Sequence, residues 1–259
     1  VGSNGQAVFT VNLVADQLTE GPETLTASVM GQSASVTVMD PPMNVFFWSQ
    51  LPNGTQINFD PSRDVLRIDD QAISAADVSF GYYGNIILTH YDVSTGQPVA
   101  KSLTLLCDTF SATSSNIVFD NASKWLWGDD SVNSNDEANN NLVGGIGNDR
   151  LVGFGGDDTL RGAEGNDVFS LSYISGSSYG NDILDGGAGN DTVTYSGSSP
   201  AISVNLALHL ATSTLGTSAL VSIERVYGTS GNDLFRGGDT EHQRDALGNT
   251  ISEVFRGRA

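Results

Sequence analysis

The chain has 259 residues, with 30 acidic and 11 basic side chains and 30 glycines, for a formal net charge of -19. That balance excludes a nucleic-acid partner, because nothing here would neutralise phosphates, and it suits a solvated acidic surface or a protein that binds cations in quantity. A hydrophobic content of 39% is enough for a core in part of the chain, and the single cysteine, Cys107, rules out a disulfide framework.

The charge divides the chain into three stretches. Residues 1–43 hold four acids and no base, 44–128 hold eight acids and four bases, and 129–259 hold eighteen acids and seven bases. No run of about twenty apolar residues is present to span a membrane, and no N-terminal signal segment is visible.

Residues 8–40 read as three strands, FTVNLVA, ETLTASVMG and SASVTVMD. ADQLTEGPETLTASV together with SVTVMD resembles the end of a Calx-β-type, immunoglobulin-like module. That resemblance makes Glu20, Glu23 and Asp40 candidate calcium ligands, although ordinary acidic loop residues explain them as well. Three strands are too few for a sandwich. Either the missing strands belong to an upstream domain from which this piece is severed, or another chain supplies them.

Residues 44–128 alternate in the manner of strands through NVFFWS, TQINFD, DVLRID, NIILTHYD, SLTLL and NIVFD. Phe46, Phe47 and Trp48 could stack on a sugar, but packing in a core is the better use of such a cluster. Cys107, at the end of KSLTLLC, reads as a small apolar residue. Trp125 and Trp127 are expected to cap the C-terminal part of the chain, covering an end that would otherwise expose its apolar row.

From residue 129 the pattern becomes periodic. Gly144–Val152, Gly153–Arg161 and Gly162–Ser170 share glycine at positions 1 and 4, aspartate at position 6 (Asp149, Asp158, Asp167), and Leu151, Leu160 and Phe169 at position 8. A fixed short period marks a solenoid. Its glycines let the backbone bend sharply, positions 7 to 9 form a short strand, and position 8 points inward. Further copies are Ser177–Asp185 with Asp182, after a six-residue insertion at 171–176, then Gly186–Thr194 with Asp191 and Gly228–Arg236 with Asp233. Gly248–Arg256 is a faint copy with Glu253, and Asn135–Val143 carries Asn140 where the acid belongs. The closing Gly257-Arg258-Ala259 reads as one more copy cut short, so the chain is expected to be a piece of something longer.

Two nonapeptides make one coil of about eighteen residues, so turns two repeats apart stack. Their position-6 carboxylates then lie near each other, with turn carbonyls between. Such an all-oxygen site suits Ca²⁺ better than Mg²⁺ or Zn²⁺. The expected pairs are Asp149 with Asp167, Asp158 with Asp182, and Asp167 with Asp191. The expected carbonyl donors are Gly145, Gly147, Gly156, Ala163, Gly165, Gly180, Gly187 and Gly189, with Gly231 beside Asp233.

This array resembles the RTX (haemolysin-type calcium-binding) repeat. The resemblance implies an all-β fold: a calcium-binding parallel β-roll over 129–259, preceded by β-sandwich-like or β-rich segments at 1–43 and 44–128. It also implies that YSGSSPAISVNLALHLATSTLGTSALVSIERVY, spanning 195–227, forms a wider coil of the same roll. His90, His209 and His242 are too scattered for zinc.

No His-Glu-x-x-His helix, G-x-S-x-G elbow or nucleophile with a partnered histidine is present, so a catalytic role is not expected of this chain. Three functions fit: a calcium-stiffened structural module of a large exported surface protein (an adhesin, surface-layer protein or filament subunit), the secretion-and-folding tail of a secreted protease, lipase or epimerase, or a carbohydrate-binding module in 44–128. The resemblance implies type I secretion to the surface or surroundings of a Gram-negative bacterium, with calcium ions as partners; the exposed edge of the incomplete N-terminal strands would add further copies of the chain.

Overall fold

The structure is a computed structural model that describes residues 23–29, 32–38, 44–82, 85–92, 99–107, 112–128, 138–171, 178–195, 200–237 and 254–256. Its regular structure is strand throughout, apart from short 3-10 turns such as Trp48–Gln50, Ala75–Asp77 and Leu206–Leu208. The all-β expectation therefore holds. No helix among the described residues is long and apolar enough to cross a membrane.

β1 (Glu23–Val29) and β2 (Gln32–Val38) form a two-stranded antiparallel sheet, with Glu23 opposite Val38. The expected strand FTVNLVA, the candidates Glu20 and Asp40, and Glu253 and His242 lie outside the described residues.

Next come β3 (Asn44–Phe47), β4 (Thr55–Asn58), β5 (Asp64–Ile68), β6 (Val78–Tyr82), β7 (Ile86–Asp92), β8 (Val99–Leu106) and β9 (Ile117–Phe119). The six alternating runs land on β3, β4, β5, β7, β8 and β9. β6 lies outside them, because a glycine interrupts the short run VSFGY; antiparallel pairing with β7 fixes it as a strand. These strands build a parallel sheet in the order β3-β5-β9 and a second sheet in the order β4-β8-β7-β6, with β4 and β8 parallel. A parallel neighbour requires a crossover. Here the crossover is the other sheet, so the chain is already winding between two sheets before the repeats begin.

The winding continues through β10 (Trp125–Trp127), β11 (Asn141–Ile146), β12 (Arg150–Val152), β13 (Thr159–Glu164), β14 (Val168–Ser170), β15 (Gly180–Ala188) and β16 (Thr192–Thr194). β17 (Ser203–Asn205), β18 (Leu210–Ser213), β19 (Gly216–Val221), β20 (Arg225–Tyr227), β21 (Leu234–Arg236) and β22 (Val254–Arg256) complete it. Even-numbered strands from β10 to β16, then β20 and β22, form one parallel sheet; β11-β13-β15-β19-β18-β17-β21 form the other. Within the second sheet, β17, β18 and β19 make an antiparallel meander.

The inward position of the repeat does what its chemistry demands. Leu151, Leu160, Phe169, Leu184 and Val193 are all fully buried. Leu142, Leu160, Leu184 and Leu220 run in register across one sheet, and Leu126, Leu151, Phe169, Val193 and Val226 across the other. Each such side chain contributes about 1.5–3 kcal/mol on burial. Leu126 faces this core, whereas Trp125 and Trp127 join Val152 and Phe154 in the core of the upstream sheets. The expected cap is thus a seam between two cores. Arg150 reinforces it, donating to the carbonyls of Ala75 (3.2 Å) and Ala76 (2.7 Å) and to Ser170 Oγ (2.9 Å).

Candidate metal centre in the turn columns

Because alternate strands belong to alternate sheets, the turns between them stack in two columns. One runs through Lys124, Asp149, Asp167, Asp191 and Glu224, the other through Asn140, Asp158 and Asp182. Every step is made the same way: a carboxylate oxygen accepts a hydrogen bond from the main-chain N–H one coil earlier. Asp149 Oδ1 accepts from Lys124 at 2.6 Å, Asp167 from Asp149 at 2.7 Å, Asp191 from Asp167 at 2.8 Å, and Glu224 Oε2 from Asp191 at 2.7 Å. In the other column Asp158 accepts from Asn140 at 2.8 Å and Asp182 from Asp158 at 3.1 Å.

The structure therefore brings together Asp149 with Asp167, Asp158 with Asp182 and Asp167 with Asp191. The separation is 18 residues for the first pair and 24 for the other two, so the insertion at 171–176 lengthens the coil without shifting its register. Asp233 stands apart; its Oδ1 accepts from Ile202 N at 2.9 Å and Thr229 Oγ1 at 2.8 Å, and Gly231 N donates to the same threonine at 2.9 Å.

The turn carbonyls lie between stacked turns. A Cβ on Gly165 would come within 2.0 Å of Gly147 O, and one on Gly189 within 1.7 Å of Gly165 O. At Gly165 the backbone also has φ of +130°, so both space and conformation require glycine there. Gly156 O is placed in the same way against Gly180, and Ala163 O against Gly187. Gly145 lacks the positive φ of its neighbours in this set.

Two features escaped the sequence reading. The first is position 1. A Cβ on Gly162 would meet Asp167 Oδ2 at 2.0 Å and Gly186 O at 2.7 Å, and one on Gly144 would meet Asp149 Oδ2 at 2.2 Å and Gly162 O at 2.5 Å. This glycine makes room for its own repeat's carboxylate. The second is position 5, where the side chain runs a ladder in the opposite sense. Asn148 Oδ1 accepts from Asn166 N at 2.8 Å, Asn166 Oδ1 from Asn190 N at 2.8 Å, and Asp157 Oδ1 from Asn181 N at 2.7 Å. The recurring residue before each Asp was the available signal.

The second carboxylate oxygen tests whether a cation fits. Oδ2 of Asp149, Asp167, Asp182 and Asp191 is buried and accepts no hydrogen bond. A buried charged oxygen without a partner is costly unless a proton or a cation satisfies it. Burial pushes Asp167 up to about 6, Asp149 to about 7, and Asp182 and Asp191 to about 8, with neighbouring carboxylates adding to the rise at Asp149, Asp182 and Asp191. Among the described residues no three His, Cys, Asp or Glu side chains gather as a metal cluster. What each step offers is two carboxylates with main-chain carbonyls, an all-oxygen donor set that fits a hard cation such as Ca²⁺.

The geometry sets two expected results. Gly162→Ala should weaken calcium binding about tenfold or more, roughly 1.4 kcal/mol, whereas Gly145→Ala should be tolerated, since its Cβ meets nothing closer than Lys124 Nζ at 3.4 Å. Calorimetric titration of both variants checks the contrast. The second concerns acid. Folded pKa values of about 6 to 8, against 3.8 ordinarily, mean that the folded array holds protons the unfolded chain has released. Stability of the calcium-free array is therefore full below about pH 4 and lost as pH rises towards about 8. Circular dichroism in chelator should show more strand at pH 5 than at pH 8, and calcium added near pH 7 should release protons.

Residues 134–169, 177–197 and 222–240 match the RTX calcium-binding nonapeptide repeat, in four copies. Such repeats bind calcium ions. No curated protein and no solved structure matches the chain.

Proposed function

We propose that this chain, which carries RTX calcium-binding nonapeptide repeats, is a non-catalytic, calcium-folded structural module of a large exported protein: an adhesin, a surface-layer protein or an extracellular filament subunit. RTX repeats are typical of secreted or surface proteins of Gram-negative bacteria, which supports export. The observation that carries the reading is the pair of columns, in which the buried Oδ2 atoms of Asp149, Asp167, Asp182 and Asp191 accept no hydrogen bond. In this reading calcium lies in the steps Asp149–Asp167, Asp158–Asp182 and Asp167–Asp191, with the carbonyls of Gly145, Gly147, Gly156, Ala163, Gly165, Gly180, Gly187 and Gly189 completing the donor sets. Asp233 and Gly231 share no second carboxylate among the described residues and stand outside these three steps.

Low cytosolic calcium leaves the columns self-repelling, so the array stays unfolded and fit for passage through a type I exporter. Millimolar calcium outside folds it. Sites with Kd of order 10⁻⁴ M each contribute about 2.7 kcal/mol at roughly 10 mM calcium.

The filament reading rests on β1 and β2, which pair with each other and with no third strand among the described residues. A two-stranded sheet is marginal alone, and its edges are templates for strand addition. In calcium the chain should polymerise head to tail, and deletion of residues 1–43 should abolish polymerisation while leaving the array protease-resistant. Light scattering together with limited proteolysis tests this. Association untouched by the deletion would identify 1–43 as strands severed from an upstream domain.

A further inference from the structure

Both columns open with a step that has one carboxylate where the later steps have two. Lys124 stands in register ahead of Asp149, and Asn140 ahead of Asp158. Each gives its main-chain N–H to the aspartate's Oδ1, at 2.6 Å and 2.8 Å, as Asp149, Asp158 and Asp167 do in turn. Farther along the first column, the position-1 carbonyl of one coil meets the second carboxylate oxygen of the coil before it. Gly162 O comes together with Asp149 Oδ2 around the point a Cβ on Gly144 would fill, and Gly186 O with Asp167 Oδ2 around that of Gly162. In the opening steps no earlier carboxylate faces the carbonyl. A side-chain N–H does. The ammonium of Lys124 donates to Gly144 O, and the amide of Asn140 donates to Gly153 O at 3.4 Å.

The two donors suit their surroundings. Lys124 is exposed and keeps its charge in contact with water, whereas Asn140 is buried, where a lone charge would be costly and a bonded neutral amide is not. Lys124 also grips the first coil with its main chain, its carbonyl accepting from Arg150 N at 2.9 Å. The turn at Ser74–Ala76 holds the same coil: Ala76 N donates to Asn148 O at 3.0 Å, and Asn148 Nδ2 to Ser74 Oγ at 3.3 Å. Asn140 is tied to its own turn, its amide donating to Ala138 O at 2.9 Å. An ion in either opening step would meet a single carboxylate and a carbonyl that is already bonded. That is a poor site for a cation that takes about six to eight oxygens.

We propose that Lys124 and Asn140 close the two columns with side-chain donors in place of ions, so that the opening step of each column needs no calcium of its own. This rests on the calcium reading of the columns and sets where ion uptake starts: at Asp149–Asp167 in one and at Asp158–Asp182 in the other. Lys124 and Asn140 are thereby positioning residues. Lys124 fixes the register between the upstream winding and the array, and Asn140 fixes the first turn of the second column.

Equilibrium dialysis of the whole chain against ⁴⁵Ca²⁺, with strand content followed by circular dichroism, tests it. Asn140→Asp supplies the missing carboxylate and should bind one calcium more than the wild-type chain. Lys124→Met keeps the stem and the main-chain N–H. Its calcium count should be unchanged, while the calcium midpoint of folding rises about twofold or more. An unchanged count in Asn140→Asp, or a Lys124→Met midpoint equal to that of the wild type, overturns the donors' role while wild-type binding leaves the calcium reading standing. A wild-type chain that binds no calcium overturns the calcium reading itself. Should either variant fail to fold, anomalous diffraction from wild-type crystals grown in calcium decides. Peaks at Asp149–Asp167 and none against Gly144 O or Gly153 O support the donors' role, and a peak against either carbonyl overturns it.

Discussion

Asp167→Ala should cost more stability in calcium than loss of any aspartate at the start of a column, such as Asp149 or Asp158. Asp167 takes part in two steps of its column, receiving the main-chain N–H of Asp149 at 2.7 Å and donating its own to Asp191 at 2.8 Å. Removing its carboxylate damages two calcium sites together, about 5 kcal/mol at a calcium concentration a hundredfold above Kd. It also leaves the buried N–H of Asp149 without its acceptor, about 1–3 kcal/mol more. Domains are commonly stable by only about 5–15 kcal/mol, so the array should fail to fold under conditions in which Asp149→Ala still folds. The sign should change without calcium. There, near pH 8, Asp167 is one of a stack of ionised carboxylates held in a poor dielectric, and its removal should leave the residual structure unchanged or slightly more stable. Thermal melts in calcium and in chelator check both halves. An Asp167→Ala loss of equal size in the two buffers would mean that the residue acts through packing alone.

Much of the array was legible because its coils repeat in sequence what they repeat in space. The period placed Leu151, Leu160 and Phe169 inward, and counting two nonapeptides to a coil placed Asp149 beside Asp167. Even the insertion at 171–176 did no harm, since extra residues between two turns need not alter which turns stack. The rest was hidden for definite reasons. Lys124 and Glu224 sit in the column but outside any nonapeptide, one before the first turn and one in a turn half as long. The role of position-1 glycine depends on where a carboxylate comes to rest, not on a backbone angle. The winding of 44–127 carries no period at all: Asn44 is paired with Asp64, but the next coil detours through β6 and β7 before Ile117 reaches Leu66.

That upstream winding also marks where calcium dependence should stop. Its turns are satisfied by their own side chains. Buried Asp64 accepts from Asn44 Nδ2 at 2.8 Å and from Asp60 N at 2.9 Å. Asn116 bonds Thr113 N at 2.9 Å and Pro61 O at 2.8 Å, and Asn121 bonds Ser123 N at 3.1 Å and Ile73 O at 3.0 Å. Its core, with Leu66, Ile68, Leu88, Leu103 and Leu105 fully buried, asks nothing of a cation. The columns from Asp149 onward have no such self-sufficiency.

Hydrogen exchange in calcium and after thorough chelation near pH 8 measures that difference most directly. In calcium, amides of both regions should be protected. In chelator the amides of β12 to β16, among them Leu151, Leu160, Phe169, Leu184 and Val193, should exchange as an unfolded chain does, while those of Ile57, Leu66, Leu88, Leu105 and Ile117 remain protected. Protection of the repeat strands that survives calcium removal would contradict the account.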